Sequence, residues 1–114
     1  MEDLFYVVET AIDYAFREDK YVLNLYQYAK SSQMTKREMS LFIESSVAAE
    51  LNDLILELDE YLKGGSDNVH KQLREGYGHI PKPRARKIRN YLYGILEDAW
   101  RYERDKRPGR KKKS

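Results

Sequence analysis

The chain contains no cysteine, three prolines and one tryptophan among its 114 residues. The lack of cysteine excludes disulfides and metal sites built from thiolates. No run approaches the roughly 20 apolar residues that a membrane-spanning helix needs. The first residues include Glu2 and Asp3, and this acidic start is unlike that of a signal or transit peptide. These absences predict a cytoplasmic protein with no contact to a membrane.

Charge is abundant, and it is unevenly distributed along the chain. Residues 1–62 hold thirteen acidic and five basic side chains, a formal charge of −8, whereas residues 63–114 hold six acidic and sixteen basic ones, a formal charge of +10. Such polarity steers an anionic partner to the basic end of a molecule. The alternative is that the two parts neutralise each other, within one fold or across a homodimer.

Apolar residues recur at helical spacing through most of the chain and predict an all-α fold. The predicted elements are a long helix over residues 3–30, a second over residues 35–62, a short helix over residues 66–77 and a last helix from Pro83 to about Lys106. The first apolar stripe lapses at Glu18 and Asp19 but keeps its phase, which favours one helix over two. No segment has the period of a strand.

The start of the second helix carries the most specific local signal. Thr35 and Glu38 have the spacing of a capping box, and Met34 and Met39 occupy the two positions of a hydrophobic staple. Because the link over residues 31–34 is short, the first two helices are expected to form an antiparallel hairpin.

The predicted domain organisation is simple. Residues 1–106 are expected to form a single helical domain that resembles a four-helix bundle, completed either within the chain or by a homodimer. Residues 107–114 hold no apolar side chain and are expected to form a short disordered basic tail.

The last helix carries a second face beside its apolar seam, which is formed by Ile88, Leu92, Ile95, Ala99 and Tyr102. When successive residues are plotted at about 100° intervals around the helix axis, a different set lies on one face, namely Arg86, Arg89, Tyr93, Trp100 and Arg104. Guanidinium groups pair with phosphates in a forked geometry, and aromatic rings stack on bases. This face predicts binding of nucleic acid, single-stranded RNA in particular, and the alternative is a second packing surface.

The first turn of the last helix is unusual in its charge. It holds the four basic residues Lys82, Arg84, Arg86 and Lys87 and no acidic residue. Because a helix N-terminus already carries partial positive charge, this arrangement opposes helix stability unless an anion lies there. The anion would be a phosphate, a carboxylate cluster of a partner, or part of the acidic N-terminal half.

The predicted binding residues are basic side chains and two aromatic rings of the C-terminal third: Lys82, Arg84, Arg86, Lys87, Arg89, Tyr93, Trp100, Arg104, Arg107, Arg110, Lys111, Lys112 and Lys113. The predicted partner is RNA or DNA, and the alternative is an acidic surface of an enzyme or complex, bound by an adaptor or inhibitor. Neither cofactor nor metal is predicted, since His70 and His79 accompany no carboxylates with ligand spacing. Four carboxylates of the second helix are interpreted as a solvated face: Glu50, Asp53, Glu57 and Glu60.

One pattern resembles that of an enzyme family. Arg74 and His79 have the form R-x4-H in an all-helical chain, which resembles the motif of HEPN-type ribonucleases. The resemblance implies that Arg74 stabilises phosphate charge and that His79 transfers a proton during RNA cleavage. The sequence departs from the family pattern, because Gly76, Gly78 and Pro81 interrupt the helix that carries the motif. The position after the arginine, where the family usually has a polar residue, is Glu75. The main prediction is therefore a non-enzymatic binding and regulatory protein, with a ribonuclease as the minor alternative.

Overall fold

The computed structural model describes residues 2–64 and 76–105, and all regular secondary structure in these ranges is helical. The helices are α1 (Glu2–Glu18), α2 (Leu25–Ser31), α3 (Lys36–Ile43), α4 (Ser46–Leu62) and α5 (Lys82–Asp105). The predicted all-α class is therefore confirmed. Most of the predicted short helix and the whole basic tail lie outside the described residues. Within the described ranges, no helix has the length and apolar character to span a membrane.

The prediction of one helix over residues 3–30 is wrong, because the chain breaks between α1 and α2. Asp19 takes a left-handed conformation with φ of 56°, and the N–H of Lys20 donates to the carbonyl of Tyr14 over 3.2 Å. Asn24 then caps α2, its side chain accepting from the N–H of Gln27 over 3.0 Å. Aspartate and asparagine tolerate the left-handed region and cap helices well, and these preferences outweigh the continued apolar phase.

The prediction of one helix over residues 35–62 is also wrong, because α3 and α4 are separated at Glu44 and Ser45. The hydroxyl of Ser45 donates to the carbonyl of Phe42 over 2.6 Å and accepts from the N–H of Ala48 over 3.3 Å. Serine offers the backbone these local bonds in competition with the helical ladder. Ser45 thereby ends one helix and caps the next.

The capping box at the start of α3 is confirmed. The Thr35 hydroxyl accepts from the N–H of Glu38 over 3.0 Å, and the Glu38 carboxylate accepts from the N–H of Thr35 over 2.9 Å. Met34 and Met39, the predicted staple, are both buried. The turn before α3 is also hydrogen-bonded to α5, because the buried Tyr102 hydroxyl donates to the carbonyl of Met34 over 2.7 Å.

Helix α5 is the central element of the described bundle and contacts α1, α2, α3 and α4. The predicted seam from Ile88 to Tyr102 is buried along its length. It is extended by three further buried side chains: Ile80, Ala85 and Leu96. Helix α4 ends at Leu62, and Gly64, two positions later, is left-handed with φ of 81°, a conformation that is common just after a helix C-terminus.

The directions of α2 and α4 relative to α5 follow from their contacts. Helix α2 runs parallel to α5, because Tyr91 bonds Leu23 and Tyr102 bonds Ala29. Helix α4 runs antiparallel to α5: its C-terminal part pairs with Arg89, whereas its N-terminal part shares a groove with Trp100. Helices α2 and α4 therefore run in opposite directions, as the predicted hairpin requires, but over shorter lengths than predicted.

Candidate functional site

The aromatic pair of α5 is partly open to solvent. Trp100 is 37% exposed and Tyr93 is half-buried. Their rings meet edge to face, with centroids 6.2 Å apart at an angle of 75°. Trp100 borders α4 on one side, in a groove with Ala48 and Ala49. The ring is therefore neither in the core nor fully solvated, and one side remains available to a ligand.

A shallow groove of about 340 Å³ opens on the other side of Trp100. It is lined by six side chains, all from α5: Tyr93, Glu97, Asp98, Trp100, Arg101 and Arg104. The groove thus combines two rings, two carboxylates and two guanidinium groups on the surface of one helix.

Two arginines of the predicted face are exposed and make no ion pair with any residue of the described ranges. They are Arg86 and Arg104, and at about 1.5 Å per residue they lie roughly 27 Å apart along α5. The aromatic pair lies between them. This arrangement leaves a cation at each end of the face.

Arg89 lies on the same face but is held by the protein. Its Nε is 2.7 Å from Oδ1 of Asp59 and its Nη2 is 3.4 Å from Oδ2, and both side chains are about two-thirds buried. The guanidinium carbon also lies 5.0 Å from the centroid of the Tyr93 ring. Arg89 therefore joins α5 to α4 and packs against the ring of Tyr93.

Arg84 points away from the predicted face and caps α1. Its Nη2 donates to the carbonyls of Phe16 over 2.6 Å and of Ala15 over 3.2 Å. Its Nε is buried without a hydrogen bond and lies 3.7 Å from Oδ1 of Asp19. The last carbonyls of a helix lack partners within the helix and carry partial negative charge. The negative charge that was predicted beside the first turn of α5 is thus supplied, at Arg84, by the acidic N-terminal half, through the last carbonyls of α1 and the Asp19 carboxylate.

Lys82 and Lys87 are exposed, and each lies over a tyrosine ring. The Nζ of Lys82 is 5.4 Å from the Tyr61 centroid, and the Nζ of Lys87 is 4.9 Å from the Tyr21 centroid. Such cation–π contacts at exposed sites contribute about 0.5–1 kcal/mol. They orient the two ammonium groups without removing them from solvent.

The titration of two groups beside Lys87 is perturbed. Burial and a hydrogen bond to Asp19 raise the pKa of Tyr21 to about 12. The same hydrogen bond, followed by the charges of Lys87 and Arg84, lowers the pKa of Asp19. The break between α1 and α2 is therefore fixed to α5 by a small charged cluster.

The remaining predicted residues are not brought into this site. The cations of the tail, Arg107, Arg110, Lys111, Lys112 and Lys113, lie outside the described residues. Arg74 also lies outside them, and His79 is exposed in the segment before α5, so the ribonuclease alternative stays a prediction.

The acidic row of α4 behaves as a helix surface. Glu50, Asp53 and Glu60 are exposed and Glu57 is half-buried, and burial, followed by the charge of Asp53, raises the pKa of Glu57. In the part of the chain that the structure describes, no group of three His, Asp or Glu side chains is placed to hold a metal ion.

Three residues of the groove were missed by sequence reasoning: Glu97, Asp98 and Arg101. Arg101 lies over the Tyr26 ring at 3.9 Å and is 3.3 Å from Asp98. Glu97 is exposed and follows Tyr93 by four positions. In sequence Glu97 lies between the two rings, and at about 100° per residue it falls about 40° from Tyr93 in the helical projection, so the signal for this residue was present in the sequence.

Comparisons of the chain with models of known protein families, with curated proteins and with solved structures find no match. An assignment of function therefore depends on the arrangement of α5. In that arrangement, Arg84 and Arg89 are bound by the protein itself, whereas Arg86, Trp100 and Arg104 are accessible.

Proposed function

We propose that this chain is a non-enzymatic protein that binds single-stranded nucleic acid along α5. The observation that carries the proposal is the exposed face on which Arg86 and Arg104 bracket the partly open Trp100. Forked guanidinium groups bind phosphates, and a base stacks on an aromatic ring with little dependence on its sequence. The spacing of about 27 Å between the two arginines along the helix allows several nucleotides to be bound.

The exposed ring favours nucleic acid over an acidic protein surface. An acidic surface needs cations, and Lys82, Lys87 and the basic residues after Lys106 would supply them. A solvent-exposed tryptophan between cations adds a flat surface that phosphate-linked bases use and carboxylates do not. The cations of the tail add attraction that depends on salt but not on sequence.

The test is direct binding of labelled single-stranded RNA and DNA to the full chain, measured by fluorescence anisotropy over a range of salt concentrations. The logarithm of the affinity is expected to fall linearly with the logarithm of the salt concentration. The double variant Arg86→Gln with Arg104→Gln is expected to weaken binding to most sequences alike. It should also lower the slope by about 1.4, or about 0.7 for each cation that contacts a single strand.

A matched control removes two cations elsewhere. Arg17 and Arg37 are exposed on α1 and α3, and the double variant Arg17→Gln with Arg37→Gln is expected to keep the slope of the wild type. Absence of binding at low salt would overturn the proposal. So would a stoichiometric acidic protein that is retained after nuclease treatment and depends on Arg86 but not on Trp100, since it would indicate the adaptor function.

A further inference from the structure

The groove beside Trp100 contains a carboxylate in the middle of the proposed phosphate-binding face. Glu97 is exposed, lines the groove and makes no ion pair with any described residue. It lies one helical turn before Trp100 and one turn after Tyr93. A carboxylate at this place repels phosphates, so it lowers the affinity for a strand unless it contacts another part of the nucleotide.

The neighbouring arginine does not neutralise Glu97. Arg101 follows it by four positions, where an ion pair within a helix is normally made. Instead, Arg101 lies over the Tyr26 ring at 3.9 Å and is 3.3 Å from Asp98. Asp98 and Tyr26 therefore engage Arg101, and the Glu97 carboxylate is left open beside the ring of Trp100.

We infer that this groove binds one guanine base of the strand, with Glu97 as the acceptor of its Watson–Crick edge. The inference rests on the proposed function. A guanine stacked on Trp100 presents two adjacent donors, N1–H and the N2 amino group, which match the two oxygens of a carboxylate. Adenine, cytosine and uracil each place an acceptor beside their donor, and a carboxylate repels it. Single-stranded bases are commonly read in this way, by stacking together with hydrogen bonds to the exposed edge.

The groove fits a single base rather than a run of bases. Because Tyr93 meets Trp100 edge to face at 75°, the two rings do not form parallel platforms for successive bases. Arg104 lies one turn beyond Trp100, lines the same groove and is exposed, so it is placed to hold a phosphate next to the stacked base. The Trp100 ring, the Glu97 carboxylate and the Arg104 guanidinium thus bind the base face, the base edge and the phosphate of one nucleotide.

The experiment measures the affinity of the full chain for uridine oligonucleotides that differ at one central position. Guanosine at that position is expected to bind roughly tenfold more tightly than adenosine, the scale of a bidentate base contact. Inosine, which lacks the N2 amino group, should lie between them. Glu97→Gln should remove the preference for guanosine and strengthen binding to the all-uridine strand, because a negative charge leaves the face.

Asp98→Asn is the matched control, because it removes a carboxylate that lines the same groove but is paired with Arg101. It is expected to keep the preference for guanosine. Equal binding of all strands, or an equal loss of preference in both variants, would overturn the assignment of Glu97 and leave the proposed function intact. Failure of every strand to bind at low salt would overturn both.

Discussion

The two halves of α5 use similar residues for different purposes. In residues 82–89, Arg84 bonds the last carbonyls of α1 and Arg89 pairs with Asp59 of α4. In residues 93–104, Trp100 is partly exposed and Arg104 makes no ion pair with a described residue. A high density of basic residues therefore does not measure the charge that is available to a partner.

The difference follows from the surroundings of each half. The first half of α5 meets the C-terminal ends of α1 and α4, where carbonyls without helical partners and the carboxylates of Asp19 and Asp59 are found. Arg84 and Arg89 satisfy these groups, whereas Arg86 in the same half stays exposed. In the second half, by contrast, all six side chains that line the groove belong to α5 itself. Because no other described helix lines this groove, it is open to solvent.

Replacing Arg84, whose side chain is largely buried against the end of α1, should give the largest loss of stability. We expect Arg84→Met to lower the free energy of unfolding by about 2 kcal/mol, because hydrogen bonds from a charged donor contribute about 1.5–3 kcal/mol. Arg86→Met, which removes the same charge two positions later at an exposed site, should change it by less than about 0.5 kcal/mol. Urea denaturation followed by circular dichroism measures both. Equal effects of the two substitutions would remove the distinction between structural and accessible cations.

The pair of Arg89 and Asp59 should give a smaller effect. Both side chains are about two-thirds buried, so a double-mutant cycle with Arg89→Ala and Asp59→Ala is expected to give a coupling energy near 1 kcal/mol, at the upper end for ion pairs with some exposure. High salt should reduce the coupling only in part, since buried pairs are screened less than exposed ones. Additive effects of the two substitutions would show that the pair does not stabilise the fold.

The stabilisation that Tyr21 provides at the break between α1 and α2 should be lost at high pH. The pKa of Tyr21 is raised from 10.0 to about 12, so between these values the unfolded chain binds fewer protons than the folded one. The contribution of Tyr21 is therefore present below pH 10 and is lost as the pH rises towards 12. Tyr77 and Tyr91, whose pKa values burial also raises, act in the same direction.

The variant Tyr21→Phe isolates this contribution from that of the other tyrosines. It is expected to show a shallower fall in the free energy of unfolding over that range than the wild type. Tyr6 is 71% exposed, and Tyr6→Phe should leave the fall unchanged. An equal fall in wild type and Tyr21→Phe would contradict the assignment.

The parts of the structure that sequence could predict are those set by neighbouring residues. The buried seam from Ile88 to Tyr102 and the capping box at Thr35 depend on local spacing, and both are confirmed. The breaks at Asp19 and Ser45 were missed because the apolar period continues across them, although both residue types favour helix ends. In each case a local polar preference outweighed the periodicity.

The role of Arg84 could not be predicted, because its acceptor at Phe16 lies 68 positions earlier in the chain. The exposure of Trp100 was equally inaccessible, since it depends on how α4 packs beside α5. Glu97, by contrast, lies near Tyr93 in the helical projection, so its position on this face follows from the sequence.

The fluorescence of Trp100 tests the central claim most directly, because it is the only tryptophan in the chain. If a base stacks on this ring, single-stranded RNA should quench the emission with the same midpoint as the anisotropy change. The quenching should weaken with salt and in the double variant Arg86→Gln with Arg104→Gln. Binding of the oligonucleotide without any change in tryptophan emission would contradict the account, since the strand would then lie away from the open face of α5.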